Sequence, residues 1–233
     1  MNRDNYSTIT IGEIVAIDFR AASVFKSNNI DFCCGGKKSL EEACREKGIE
    51  PEKVEFELKE LAAIPSNPGQ DYGSWKPDFL CDYLVNTHHR YVLKTLPDLL
   101  LYTQKIATVH GLHHPELEEV AALFAKINNE LLQHLKNEEE VLFPAINSVL
   151  AHNDRKSKNI IVSEITRMVA EHDFAGGTMD TINTLTHHYK LPEDSCATYQ
   201  VTFKLLEQFE DDLHIHVHLE NNILYPAALK LTH

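Results

Sequence analysis

Positive charge is scarce in this chain. Its 22 lysines and arginines face 35 aspartates and glutamates, a formal net charge of −13 over 233 residues. A nucleic-acid surface needs a basic stripe, and an anionic membrane attracts basic segments, so the deficit argues against both partners. No apolar run approaches the ~20 residues that span a bilayer. The N-terminal MNRDNYSTITIGEIVAIDF lacks the basic-then-apolar layout of a secretory signal, and a cytoplasmic location is expected. The five cysteines, Cys33, Cys34, Cys44, Cys81 and Cys196, are odd in number and scattered. That count does not make a disulfide framework and fits a reducing compartment. Sustained period-two alternation is also missing, which removes a β fold. What the chain does have in excess is histidine, fourteen in all.

Breakers divide the chain once. The stretch IPSNPGQDYGSWKPD, residues 64–78, carries three prolines and two glycines and reads as a linker. The expected organisation is a small helical domain over 1–63, a linker over 64–77 and a larger helical domain over 78–233. In the first part, Thr10 with Glu13 and Ser39 with Glu42 have capping-box spacing, and Pro51 fits the first position of a helix reaching Leu61. After the linker, apolar residues recur at helical spacing along four long stretches. The breaks fall near residues 110–116, 151–157 and 189–195. Four long helices with short connections imply an antiparallel four-helix bundle. Pro97, Pro144 and Pro226 lie late in three of the stretches, where each is expected to kink or end its helix.

Two segments of this part repeat each other: HLKNEEEVLFPA at 134–145 and HVHLENNILYPA at 216–227. His134 and Glu138, like His216 and Glu220, are four apart and share one helix face. His89 and His172 lie within the other two stretches. Residues at equal depth in an antiparallel hairpin lie symmetrically about its turn. Midway between His89 and His134 lie Gly111 and Leu112. Midway between His134 and His172 lies Asn153, and between His172 and His216 lies Asp194. All of these fall in the breaks, so the four histidines are expected at one level. A single His-x3-Glu is ordinarily a surface pair, but two in matching context with two further histidines at that level are not. Four imidazoles and two carboxylates would be costly to bury unless a metal centre held them. Six donors suit two metals, with the glutamates able to bridge. Mixed imidazole and carboxylate ligation with open positions favours iron, while manganese and zinc stay open. His88, His214 and His218 face off the line of the ligands. His110, His113 and His114 read as loop residues, and His187, His188 and His233 as peripheral.

His89, His134-x3-Glu138, His172 and His216-x3-Glu220 resemble the hemerythrin-like domain. With DFCCGGKKSLEEAC, EHDFAG, NEEEVLFP and LENNILYP, nearly the whole chain resembles the iron–sulfur cluster repair di-iron proteins, which place a short CCGG domain before such a bundle. The resemblance implies two non-haem iron ions with an oxo-type bridge, and damaged iron–sulfur proteins as partners. It also implies nitric oxide or oxygen as small ligands, and repair by iron donation or nitric oxide chemistry. Oxygen-carrying hemerythrins have a second histidine where this chain has Gly176, and an aspartate five residues after the last histidine rather than a glutamate at four. That departure argues against reversible oxygen carriage. A nitric oxide- or oxygen-reducing enzyme, a gas sensor and a zinc-stabilised bundle remain alternatives, and a homodimer is allowed.

Cys33 and Cys34 are the candidate thiol pair. Adjacent cysteines close only a strained ring, so labile thiols fit better than a staple. Gly35 and Gly36 permit close approach or unusual φ values. Lys37 and Lys38 are placed to lower the thiol pKa. Cys44, Cys81 and Cys196 are expected to be structural.

Overall fold

The computed structural model describes Tyr6, residues 9–64 and residues 71–233. Residues 65–70 of the expected linker therefore lie outside the described residues. Among those described, all regular structure is helical, with one isolated bridge between Thr10 and Ser39. The chain divides into two compact units. One holds the residues up to Leu80 together with Ile215–Leu231, and the other holds Cys81–His214.

The first unit opens with helices α1 (Ile11–Ile17), α2 (Ala21–Ser27), α3 (Leu40–Lys47) and α4 (Pro51–Ala63). The expected capping box closes on α1: Thr10 Oγ1 accepts from the Glu13 N–H at 3.3 Å, and the Glu13 carboxylate accepts from the Thr10 N–H at 2.8 Å. Ser39 caps α3 by accepting from the Glu42 N–H. The turn out of α3 needs a left-handed residue, and Gly48 supplies it at φ 67°. Ile11, Ile14, Val15, Phe25, Leu40, Val54 and Leu58 are buried together in this unit.

The second unit is built from long rods. A rod starting at α5 (Pro77–Leu84), which enters this unit after Leu80, passes through a π-helical turn, π1 (Val85–His89), into α6 (Arg90–His110). Next come α7 (Glu116–Asn137), π2 (Glu138–Leu142), α8 (Phe143–His152) and α9 (Arg155–Leu185). The last rod is α10 (Ala197–Leu219), π3 (Glu220–Leu224) and α11 (Tyr225–Lys230), and the division between units falls within α10, after His214. The turns between rods contain Gly111, Asn153 and Asp194, the residues expected from symmetry. Helix α6 packs on α7, and α7 and α8 on α9. Phe209 of α10 meets Phe124 of α7, with ring centroids 5.6 Å apart. The protein is all-α, an antiparallel four-helix bundle preceded by small helices.

The prolines behave differently from one another. Pro97 sits on an exposed face of α6 and the helix continues to His110, because the carbonyl left without a partner can be hydrated. Pro144 and Pro226 are each the second residue of a helix restarting after a π turn. The residue before each proline donates back across the wide turn, Phe143 N–H to the Glu138 carbonyl and Tyr225 N–H to that of Glu220, so the proline follows a turn whose hydrogen-bond register has already shifted. The interruption thus precedes the proline, at π2 and π3.

Candidate metal centre

All three π turns involve predicted ligands: His89 closes π1, Glu138 opens π2 and Glu220 opens π3. Such wide turns re-aim side chains and recur at functional sites.

In the bundle unit four predicted residues converge. His89, His134, Glu138 and His172 are all buried. Glu138 Oε2 lies 3.4 Å from His89 Nε2 and 3.3 Å from His134 Nε2. His134 Nε2 lies 3.0 Å from His172 Nε2. A cation bound at about 2.1 Å by ligands at right angles has neighbouring donors about 3.0 Å apart. The observed donor spacings are of that order, so these side chains could hold an ion between them.

The far side of two imidazoles supports the same conclusion. His134 Nδ1 lies 2.7 Å from Glu171 Oε2, and His89 Nδ1 lies 2.8 Å from Glu139 Oε1. A carboxylate accepting from Nδ1–H leaves the Nε2 lone pair free to face a metal. Arg167 Nη1 donates to Glu171 at 3.2 Å. The hydrogen bond with His134, with help from Arg167, holds the Glu171 carboxyl below its ordinary pKa. Phe143 stacks on His89 at 5.7 Å. The donor set fits a hard or borderline transition metal.

In the other unit, His216 Nε2 and Glu220 Oε1 are 2.9 Å apart and both side chains are buried. One turn of helix presents this imidazole and carboxylate together, as the sequence spacing requires.

Residues 82–228 match the hemerythrin HHE cation-binding domain, and residues 8–62 match a domain of unknown function, DUF542. The iron–sulfur cluster repair protein YtfE of Pectobacterium carotovorum subsp. carotovorum (strain PC1) is 34% identical over 228 residues, covering 97% of this chain and 98% of that protein. The protein of the same name from Yersinia pestis (strain Pestoides F) is 31% identical over 226 residues, covering 97% and 99%. The chain belongs to this family of hemerythrin-like proteins. The match is to a cation-binding domain, and buried clusters of histidine and glutamate within it offer donors that could hold a metal ion. Among the described residues, no helix is long and apolar enough to cross a membrane.

The CCGG turn, in the first unit, is organised by Asp31. Its Oδ1 accepts from the N–H of Cys33 at 2.9 Å and of Cys34 at 3.0 Å, and its Oδ2 from that of Gly35 at 2.8 Å. The Cys33 thiol also donates to Asp31, and the two Sγ atoms are 3.9 Å apart. Cys33 is buried and Cys34 half-buried. The expected lowering of the thiol pKa by Lys37 and Lys38 is overturned for Cys33. Its hydrogen bond with Cys34, burial and the Asp31 carboxylate push the Cys33 thiol well above its ordinary value. Lys38 is instead 2.6 Å from Glu46. Nor do the two glycines of the turn adopt positive φ.

The remaining histidines divide. His88 is buried, with Nδ1 2.9 Å from Asp212. His218 is buried against Phe32, and burial holds its pKa down to about 4. His110 and His114 are more than loop residues: they pair with Cys196 at 3.2 Å and Asp194 at 2.9 Å. Cys44 and Cys81 are buried as expected, but Cys196 is exposed. Backbone N–H groups at the start of α10, together with His110, bring the Cys196 thiol down to about 7. Sequence reasoning missed Glu139, Glu171 and Arg167. Their only signal was position beside a ligand or on its helix, which solvated charges share.

Proposed function

We propose that the protein binds two iron ions, which His89, His134, Glu138, His172, His216 and Glu220 would hold, and restores iron–sulfur clusters damaged by oxidative or nitrosative stress in the cytoplasm. The observation that carries this reading is the convergence of buried His89, His134 and His172 on Glu138, with carboxylates behind two of the imidazoles. The repeated His-x3-Glu at His216 and Glu220 and the names of the relatives support the rest. The division into 1–63, 64–77 and 78–233 belongs to the same proposal.

Bound iron supplies electron transfer and a site for nitric oxide or oxygen. The chain's own residues set the conditions for it. Glu171 and Glu139 hold protons at Nδ1 of His134 and His89 and so fix each Nε2 as a donor. Arg167 holds Glu171 in place. Phe143 covers one face of His89, which limits water there. Cys33 and Cys34 act as a thiol pair toward iron or electrons, with Cys34 the more accessible partner.

Two measurements test the proposal. Metal analysis of protein purified from iron-replete cells is expected to give two irons per chain, and one zinc per chain overturns the ligand set. Iron-loaded protein added to a nitric-oxide-damaged cluster enzyme is expected to restore it beyond the effect of equal free ferrous iron. Equality with free iron removes the repair reading.

A further inference from the structure

The segment His216-Val217-His218-Leu219-Glu220-Asn221-Asn222 interleaves two pairs with i,i+4 spacing. His216 and Glu220 occupy one face, and His218 and Asn222 lie about 200° round the helix from them. The second pair meets the CCGG turn. Asn222 Nδ2 lies 3.1 Å from the Cys33 carbonyl oxygen and 3.3 Å from that of Phe32. The same Nδ2 also lies 3.2 Å from His218 Nδ1, so its two hydrogens serve three neighbours, of which the Cys33 carbonyl is the nearest. The Phe32 ring packs edge-on against His218 at 5.6 Å.

The glycines explain how Asn222 gets so close. A Cβ added to Gly12 or to Gly36 would lie 2.4 Å from Asn222 Oδ1. At Gly12 it would also lie 2.9 Å from the Gly36 carbonyl oxygen. Neither glycine has positive φ, so what each provides is room. The last glycine of the CCGG motif and Gly12 of α1 form the two sides of a slot for one carboxamide.

Cys33 is thereby held at both ends: Asp31 accepts from its N–H and Asn222 donates to its carbonyl. Joining Cys33 to Cys34 would require this backbone to move. Consecutive Cα atoms are about 3.8 Å apart across a trans peptide, below the roughly 4.4–6.8 Å that disulfides normally span. Closing the ring must distort the peptide that joins the two residues, and the carbonyl Asn222 holds is part of that peptide.

We propose that Asn222 is the positioning residue of the thiol pair: it clamps the Cys33 carbonyl so that Cys33 and Cys34 stay as two thiols, and it ties their state to the helical turn that carries Glu220. The proposal rests on the reading of Cys33 and Cys34 as a functional pair. Its consequence is that ring closure and the Asn222 hydrogen bond exclude one another. A net hydrogen bond is worth about 1 kcal/mol, so removing it favours ring closure about fivefold.

The test is the oxidation equilibrium of the full-length protein with glutathione disulfide. The two cysteine thiols give up two electrons and two protons to form one bond, and glutathione disulfide becomes two thiols. Quenched samples are digested, and the Cys33–Cys34 peptide is weighed for the loss of two hydrogens. Asn222→Ala is expected to raise the equilibrium constant about fivefold or more. Asn222→Asp keeps the shape but loses the donors and is expected to do the same. Gly36→Ala, which displaces the carboxamide, is expected to match them, with no further gain in the double variant Asn222→Ala/Gly36→Ala.

Cys44 is an internal control, because it is fully buried in the same unit. A general loosening speeds alkylation of Cys44 as well, whereas a positioning role changes only Cys33 and Cys34. An unchanged oxidation equilibrium in both Asn222 variants, or an equal acceleration at Cys44, overturns the proposal. The underlying reading fails separately: Cys33→Ser/Cys34→Ser protein with Asn222 intact would restore damaged clusters as well as the unaltered chain.

Discussion

The two copies of the repeated segment fold alike on one face and differently on the other. His134 and Glu138 match His216 and Glu220, each glutamate opens a π turn, and each proline follows as the second residue of a new helix. Opposite this face the first copy carries Lys136 and Glu140, both exposed. The second carries His218, fully buried, and Asn222, which reaches the CCGG turn. One sequence pattern thus presents a buried imidazole and carboxylate together in both segments, and the outer pair records whether the helix faces water or protein.

The largest expected effect comes from breaking the face the copies share. Glu138→Ala and Glu220→Ala should each reduce iron from two per chain to one or none, because each removes a proposed carboxylate ligand. Metal analysis after gel filtration checks this. A variant that keeps two irons would show that the copies are not equivalent in binding.

A second difference lies further back on the same helices. Asn128 of the first copy corresponds to Glu210 of the second, and both are buried. Glu210 accepts from Asn183 at 2.8 Å, yet burial raises its pKa from 4.5 to about 7. The folded protein thus holds this proton more tightly than the unfolded chain. Its stabilising contribution is complete below about pH 4.5 and declines as pH rises through about 7. A shift of this size corresponds to about 3 kcal/mol. Glu210→Gln makes the second copy resemble the first. Its stability relative to the unaltered chain should rise by about 2–3 kcal/mol between about pH 5 and pH 8, measured by urea unfolding. A pH-independent difference would mean that the buried carboxyl is ionised throughout.

The outer faces give the next contrast. His218→Ala removes a buried ring packed on Phe32 and is expected to destabilise by about 2–3 kcal/mol, in the range of large-to-small core changes. Lys136→Ala at the matching exposed position should stay within about 0.5 kcal/mol. Equal losses at the two positions would remove the contrast drawn from burial.

How much of this was readable beforehand depends on the kind of contact. The rods, their turns and the inward pairs followed from helical period and from symmetry about the breaks, both local properties of the chain. His134, Glu138 and His172 meet because equal depth in a hairpin is arithmetic. Asn222 was not readable, because a carboxamide two residues after Glu220 says nothing about the Cys33 carbonyl some 190 residues earlier. The pKa of Cys33 was misjudged for a related reason. Lys37 and Lys38 are its neighbours in sequence, but Cys34 and Asp31 are what its thiol meets. The π turns were hidden as well, since the prolines marked an interruption without indicating that the wide turn comes before them.

The smallest effect concerns the support behind a proposed ligand. His134 is held at Nδ1 by Glu171, which Arg167 holds in turn. Glu171→Gln leaves His134, Glu138 and His172 in place but offers Nδ1–H a neutral amide instead of a carboxylate. The imidazole then becomes a weaker donor and its tautomer is less firmly set. Loss of such an outer partner typically lowers metal affinity 10- to 100-fold. Competition with a chelator should show that change in the variant while iron at saturation stays at two per chain. Arg167→Met should give a smaller loss in the same direction, because Glu171 remains charged but is held less firmly. If Glu171→Gln binds iron as tightly as the unaltered chain, the carboxylate behind His134 is a surface pair and contributes nothing to the centre.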